Sequence, residues 1–170
     1  MKKPFKYSNT PLSIHQKIEI AQTLYKNRRN EFISNPYINN LLEKLREKID
    51  ITRKALFKSG IFAICKHCDE EGGSCCGAGI ENRYDVVLLL INLLLGVSLP
   101  EKRFESKSCF FLNKNGCTLA ARHDLCVNYL CSKIKESLTL DEIIKVQTLA
   151  GDELDTLFLV HETIKKFIRY

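Results

Sequence analysis

Apolar residues recur at helical spacing from Ile14 onward, with Ile14, Ile18, Ala21, Leu24 and Tyr25 on one face of a helix that runs to about Phe32. Ser13 with Gln16 three residues later reads as a capping box at its start, just after Pro11. Asn35-Pro36 interrupts the pattern and restarts it. Ile38, Leu41, Leu42, Leu45, Ile49, Ile51 and Leu56 predict a second helix ending near Ser59-Gly60, where glycine suits the turn past a helix end. The simplest packing for two such neighbours is antiparallel.

From residue 65 to 80 the character changes. Four cysteines stand among Gly72-Gly73, Gly77 and Gly79 with almost no apolar periodicity, so the segment is expected to be an irregular loop that needs something to order it. An apolar helix is expected from about Glu81 to Leu95, ended by Gly96 and Pro100. Residues 108–119 suit a short hairpin, with Cys109-Phe110-Phe111-Leu112 on one arm and Asn115-Gly116 in the turn. A helical stretch from about Leu125 to Ser137 precedes a second capping-box spacing, Thr139-Leu140-Asp141-Glu142. A long last helix follows through Ile143, Val146, Leu149, Leu157, Val160, Ile164 and Phe167, with a bend expected at Gly151. There is no repeat, low-complexity stretch or linker. The expectation is a mainly α, single-domain helical bundle over residues 1–170, with an irregular cysteine-rich metal-binding middle at 65–131 and one short β-hairpin.

Length and composition fit that picture, since 170 residues with 45% hydrophobic and 27% charged side chains bury one core comfortably. The run from Val86 to Leu99 covers fourteen residues, roughly 21 Å as a helix against a hydrocarbon layer of roughly 30 Å, so it reads as a buried helix and no membrane span. No apolar stretch follows the first lysines, which argues against a secretion signal and for a cytoplasmic setting. Charge is uneven. Residues 1–60 carry thirteen Lys and Arg against five Asp and Glu. Because these alternate with apolar residues at helical spacing, solvated helix faces explain them better than a nucleic-acid surface.

Cysteine is the departure from an ordinary composition. The eight fall as Cys65-x2-Cys68-x6-Cys75-Cys76, Cys109-x7-Cys117 and Cys126-x4-Cys131, all within 67 consecutive residues. A Cys-x2-Cys pair is the usual bite on one metal ion. Buried free cysteines do not explain four thiols in a glycine-rich polar loop, and disulfides conflict with a reducing compartment. On a continuous helix Cys126 and Cys131 would stand about 140° apart, so one of them must leave the helix if both bind one centre. Lys66, Lys107, Arg122 and Lys133 are placed to offset thiolate charge. His67 and His123 are not needed as ligands beside eight thiols. Asp85 reads either as an acceptor supporting the site or as a first-turn acid of the apolar helix.

Taken together, Cys65-Lys66-His67-Cys68 with Cys75-Cys76, Cys109-Phe110-Phe111-Leu112 with Gly116-Cys117, and Arg122 with Cys126 and Cys131 resemble the YkgJ-type cysteine-cluster family, a zinc- or iron-chelating domain. The resemblance covers residues 65–131 and implies metal chelation by the eight cysteines. Asp85 also falls where that family tends to place an aspartate. The loop between Cys68 and Cys75 is longer than usual, and His123 stands where a proline typically follows the arginine, so the site geometry is open to difference.

Three functions follow as alternatives. The first is a non-enzymatic protein in which zinc or an iron-sulfur centre orders the loops while the helices dock an unidentified protein partner. The second is an iron-sulfur enzyme of redox or methyl-transfer type, on the precedent of flagellin lysine N-methylases with a similar cysteine cluster. No nucleotide-binding glycine loop joins a strand to a helix in support of it. The third is a nucleic-acid adaptor using the basic N-terminal helices.

Overall fold

The computed structural model describes residues 11–71 and 75–169. The N-terminal residues 1–10 and the Gly72-Gly73 pair of the cysteine segment lie outside the described residues. The fold is mainly α, with one minimal β-hairpin.

Helix α1 spans Ile14–Ser34 and begins with the expected capping box, Ser13 and Gln16 bonding each other's backbone amides. Helix α2, Pro36–Lys58, starts where the Asn35 carboxamide oxygen accepts from the amides of Tyr37 and Ile38, with Pro36 as its first residue. The expected antiparallel pair is not the main packing. α1 lies chiefly against α4 (Val86–Leu94), and α2 against the last helix, α7 (Leu140–Arg169). The reason is apolar supply: α4 buries Leu88, Leu89, Leu90 and Ile91 together, a wider apolar surface than one partner covers.

The segment from 65 is not all loop, which corrects the reading above. Gly60, at φ 77, turns the chain directly from α2 into α3, Ile61–Glu70, which carries Cys65 and Cys68. Irregular structure starts only after it. The apolar helix also begins later than expected: a 3-10 turn at Ile80–Arg83 precedes it, and the Asp85 carboxylate caps α4 by accepting from the Leu88 amide at 2.8 Å. The hairpin pairs β1, Leu112–Asn113, with β2, Gly116–Cys117, so Lys114 and Asn115 form the turn while Gly116 belongs to a strand. The expected helix at 125–137 is two pieces, α5 (Asp124–Asn128) and α6 (Ser132–Ser137). α7 runs unbroken through Gly151 from a Thr139–Glu142 capping box.

Two apolar cores result. The larger joins α1, α2, α4, the hairpin and the C-terminal half of α7 around Phe32, Leu45, Leu89, Phe111 and Ile164. The smaller gathers Leu56, Ile61, Leu130, Ile134 and Val146, from α2, α3, the α5–α6 junction, α6 and α7. Among the described residues no helix is long and apolar enough to cross a membrane.

Candidate metal centre

Six short segments carry the eight cysteines. α3 holds Cys65 and Cys68 three residues apart, as neighbours on its surface. The coil after it is fastened to the segment before β1. The Cys109 amide donates to the Cys76 carbonyl at 2.7 Å, the Ala78 amide to the Lys107 carbonyl at 2.9 Å, and Gly77 pairs with Ser108. Cys117 sits in β2 and Cys126 in α5, while Cys131 is the first, non-helical residue of α6. The break between α5 and α6 therefore removes the angular conflict between Cys126 and Cys131.

Electrostatics reports which thiols are neighbours. Desolvation raises the Cys65 thiol to about 11, with Cys75, Cys131 and Cys68 adding and Arg122 opposing. Cys109 is likewise raised to about 11, mainly by burial, with Cys117 and Cys126 contributing. Burial also raises Cys117 and Cys126, and the charge of Arg122 opposes it at both. The Cys75 thiol donates to the Cys76 sulfur, which lifts Cys75 and lowers Cys76. The Tyr84 hydroxyl donates to Cys126 Sγ at 3.7 Å and accepts from the His123 amide at 3.2 Å. Lys133 Nζ reaches Cys68 Sγ at 3.9 Å and the Glu71 carboxylate at 3.0 Å.

Of the basic residues expected to offset thiolate charge, Arg122 is buried, and buried Glu153 acts on it, a carboxylate that the residue spacing did not reveal. Arg122 is 8% exposed, and its Nε and Nη2 find no hydrogen-bond partner among the described residues; Glu153 of α7 is fully buried with neither oxygen bonded. Burial raises the Glu153 carboxyl, against Thr52, Arg122 and Arg53. The Thr52 hydroxyl is turned to the carbonyls of Lys48 and Leu149, and no bond of ordinary geometry reaches Glu153. Arg53 donates to the Leu119 carbonyl at 2.6 Å. Asn92 of α4 fixes the same stretch: its amide nitrogen donates to Leu88 and Ala121, and its oxygen accepts from the amides of Ala120 and Ala121. Asn92 and Glu153 each carried a signal, a polar side chain on an otherwise apolar helical face.

The donor chemistry fits a thiophilic metal: the cysteines supply only sulfur, Tyr84 donates to one sulfur, and the charge of the buried Arg122 acts on three of them. As the side chains stand, no group of three or more His, Cys, Asp or Glu among the described residues is arranged to hold an ion. The other candidates have different work. His67 pairs with Glu71 on the surface, His123 caps α5 through Nδ1 and pairs with Asp124, and Asp85 caps α4 while bonding His161 Nε2 at 2.8 Å.

Much of the N-terminal positive charge is spent inside the fold. Lys17 donates to the Asn82 and Tyr84 carbonyls, Arg28 to Phe167, Arg46 to Leu95 and Lys48 to Asp152. Two open surface clefts, of about 340 and 290 Å3, are lined respectively by Tyr25, Lys26, Asn27, Arg29, Asn30 and Glu31 and by Arg46, Ile49, Asp50, Arg53, Leu95 and Ala120. Neither is lined by a cysteine. The chain matches no protein-family model, no curated protein and no solved structure.

Proposed function

We propose that this protein binds metal, holding zinc or an iron-sulfur centre through Cys65, Cys68, Cys75, Cys76, Cys109, Cys117, Cys126 and Cys131. The observation that carries the reading is the convergence of Cys65, Cys117 and Cys126, from three separate segments, on the buried Arg122, whose Nε and Nη2 find no hydrogen-bond partner among the described residues. The resemblance of residues 65–131 to YkgJ-type cysteine clusters points the same way. A bound zinc ion supplies a closed structural tie, and an iron-sulfur centre supplies an electron store. Tyr84 and Arg122 support the sulfurs by hydrogen bonding and opposite charge. The setting is a reducing compartment, the cytoplasm by preference, and the helices serve to dock a protein partner. Nucleic acid is not favoured, because Lys17, Arg28, Arg46, Lys48 and Arg53 are engaged with other parts of the fold.

The test is elemental analysis with a visible spectrum on protein purified without oxygen. Stoichiometric zinc in a colourless sample supports a structural or adaptor role. Iron with sulfide and a broad visible band supports redox or methyl-transfer chemistry. Absence of both metals from the anaerobic protein, and from apo-protein offered either one, sinks the reading.

A further inference from the structure

We propose that the eight thiols form two four-cysteine sites, Cys65, Cys68, Cys75 and Cys131 in one and Cys76, Cys109, Cys117 and Cys126 in the other, so that adjacent Cys75 and Cys76 serve different metal ions. The inference rests on the metal-binding reading above and goes beyond it by dividing the ligands.

The division follows from which parts of the fold carry each set. α3 packs on α6, which brings Cys65 and Cys68 towards Cys131 at the head of α6, and Cys131 packs on the smaller core. Cys109 and Cys117 belong instead to the larger core, and Cys76 is fastened to Cys109 by the 2.7 Å backbone bond. Cys126 lies under Tyr84, another residue of the larger core. The neighbour relations follow the same division in part: Cys65 has Cys75, Cys131 and Cys68 about it, whereas Cys76, beyond its bond with adjacent Cys75, has Cys126, Cys117 and Cys109. Cys126 also senses Cys75, as two abutting sites require.

Each set has its own cation. Lys133 stands at Cys68 in the first, and Arg53 acts on Cys117 in the second. Arg122 acts on Cys65 from one set and on Cys117 and Cys126 from the other, so the buried guanidinium sits between two centres of negative charge. Four thiolates on a divalent ion leave a net charge of about −2, and two such sites side by side need a shared cation. That accounts for a buried arginine with nitrogens unpartnered in the described residues. A thiol hydrogen bond joins adjacent Cys75 and Cys76 across the two sets, and metal ions take thiolates, so loading removes it.

The experiment is a zinc titration of reduced apo-protein without oxygen, read by elemental analysis after gel filtration and by the thiolate charge-transfer absorption of a parallel cobalt(II) titration. The wild type is expected to retain about two ions per chain, and Cys68→Ser and Cys76→Ser about one each. The double variant is expected to retain none. If Cys76→Ser does not fold, Cys126→Ser reads the same site. One ion in the wild type, or loss of both ions from either single variant, overturns the division while leaving metal binding intact. No ion at all in the wild type overturns the metal reading itself.

Discussion

Asn92 is wholly buried and satisfies four backbone bonds at once, two given and two accepted, which ties residues 120 and 121 to α4 just before Arg122. Asn92→Ala leaves buried carbonyls and amides without partners and should destabilise the fold by about 2–4 kcal/mol, read as a lower urea midpoint. A midpoint within about 0.5 kcal/mol of the wild type would show that water replaces the side chain. Asp85 and His161 give a pH signature. The hydrogen bond that His161 Nε2 donates to Asp85 raises the imidazole above 6.5 against its burial. Burial pushes Asp85 up, but His161 and the first amides of α4 outweigh it and hold it below 3.8. The other groups at this point are Glu162, 3.4 Å from His161 Nδ1, and Lys165, which bonds Glu162. The His161 contribution is thus full below 6.5 and lost as pH rises through the raised value, while that of Asp85 is present above 3.8 and lost on acidification. The stability difference between wild type and His161→Gln should therefore be largest between these limits and shrink above neutrality. Its size is under about 1 kcal/mol, since Asp85 is half exposed. A difference that grows with pH contradicts the assignment. At this scale the cysteines were legible because type and spacing declare them. The partners of Asn92 and Glu153 were not, because they arrive from distant parts of the chain.

Helices whose signals are local were readable from the sequence. Ser13 with Gln16, Asn35 with Pro36 and Thr139 with Glu142 each place a hydrogen-bonding side chain within three residues of the amides it serves, and α1, α2 and α7 begin there. α3 was missed because its apolar anchors are few: Ile61 and Ile64 find their partners only when α6 and α7 complete the smaller core. The α5–α6 break was foreshadowed by the angle between Cys126 and Cys131, although its position was not. Gly60 is the joint on which α3 depends, at φ 77 with nothing within 4 Å of an added Cβ. Gly60→Ala should accordingly cost about 1–2 kcal/mol from backbone strain alone. Differential scanning calorimetry of the two proteins measures it, and an unchanged melting temperature would mean that α3 repositions freely.

α2 and α7 form the spine of the whole molecule, because each contributes to both cores: Leu45 and Leu56 from α2, Ile164 and Val146 from α7. The thiols hang between the cores. Since metal that binds only the folded form adds its binding energy to stability, stripping it with a chelator under reducing conditions should lower the melting temperature. Hydrogen exchange should then quicken in α3 and α6 more than in α1 and α4, and a uniform change would place the metal's effect elsewhere. The α2–α7 pairing also joins two parts of the chain that lie far apart in sequence, with α2 made first. During synthesis α2 emerges long before its main cover exists, and pairing so distant in sequence is slow to close. A product cut short before Leu140 lacks the main cover for the apolar row of α2, and apolar surface exposed in this way favours aggregation of unfinished chains.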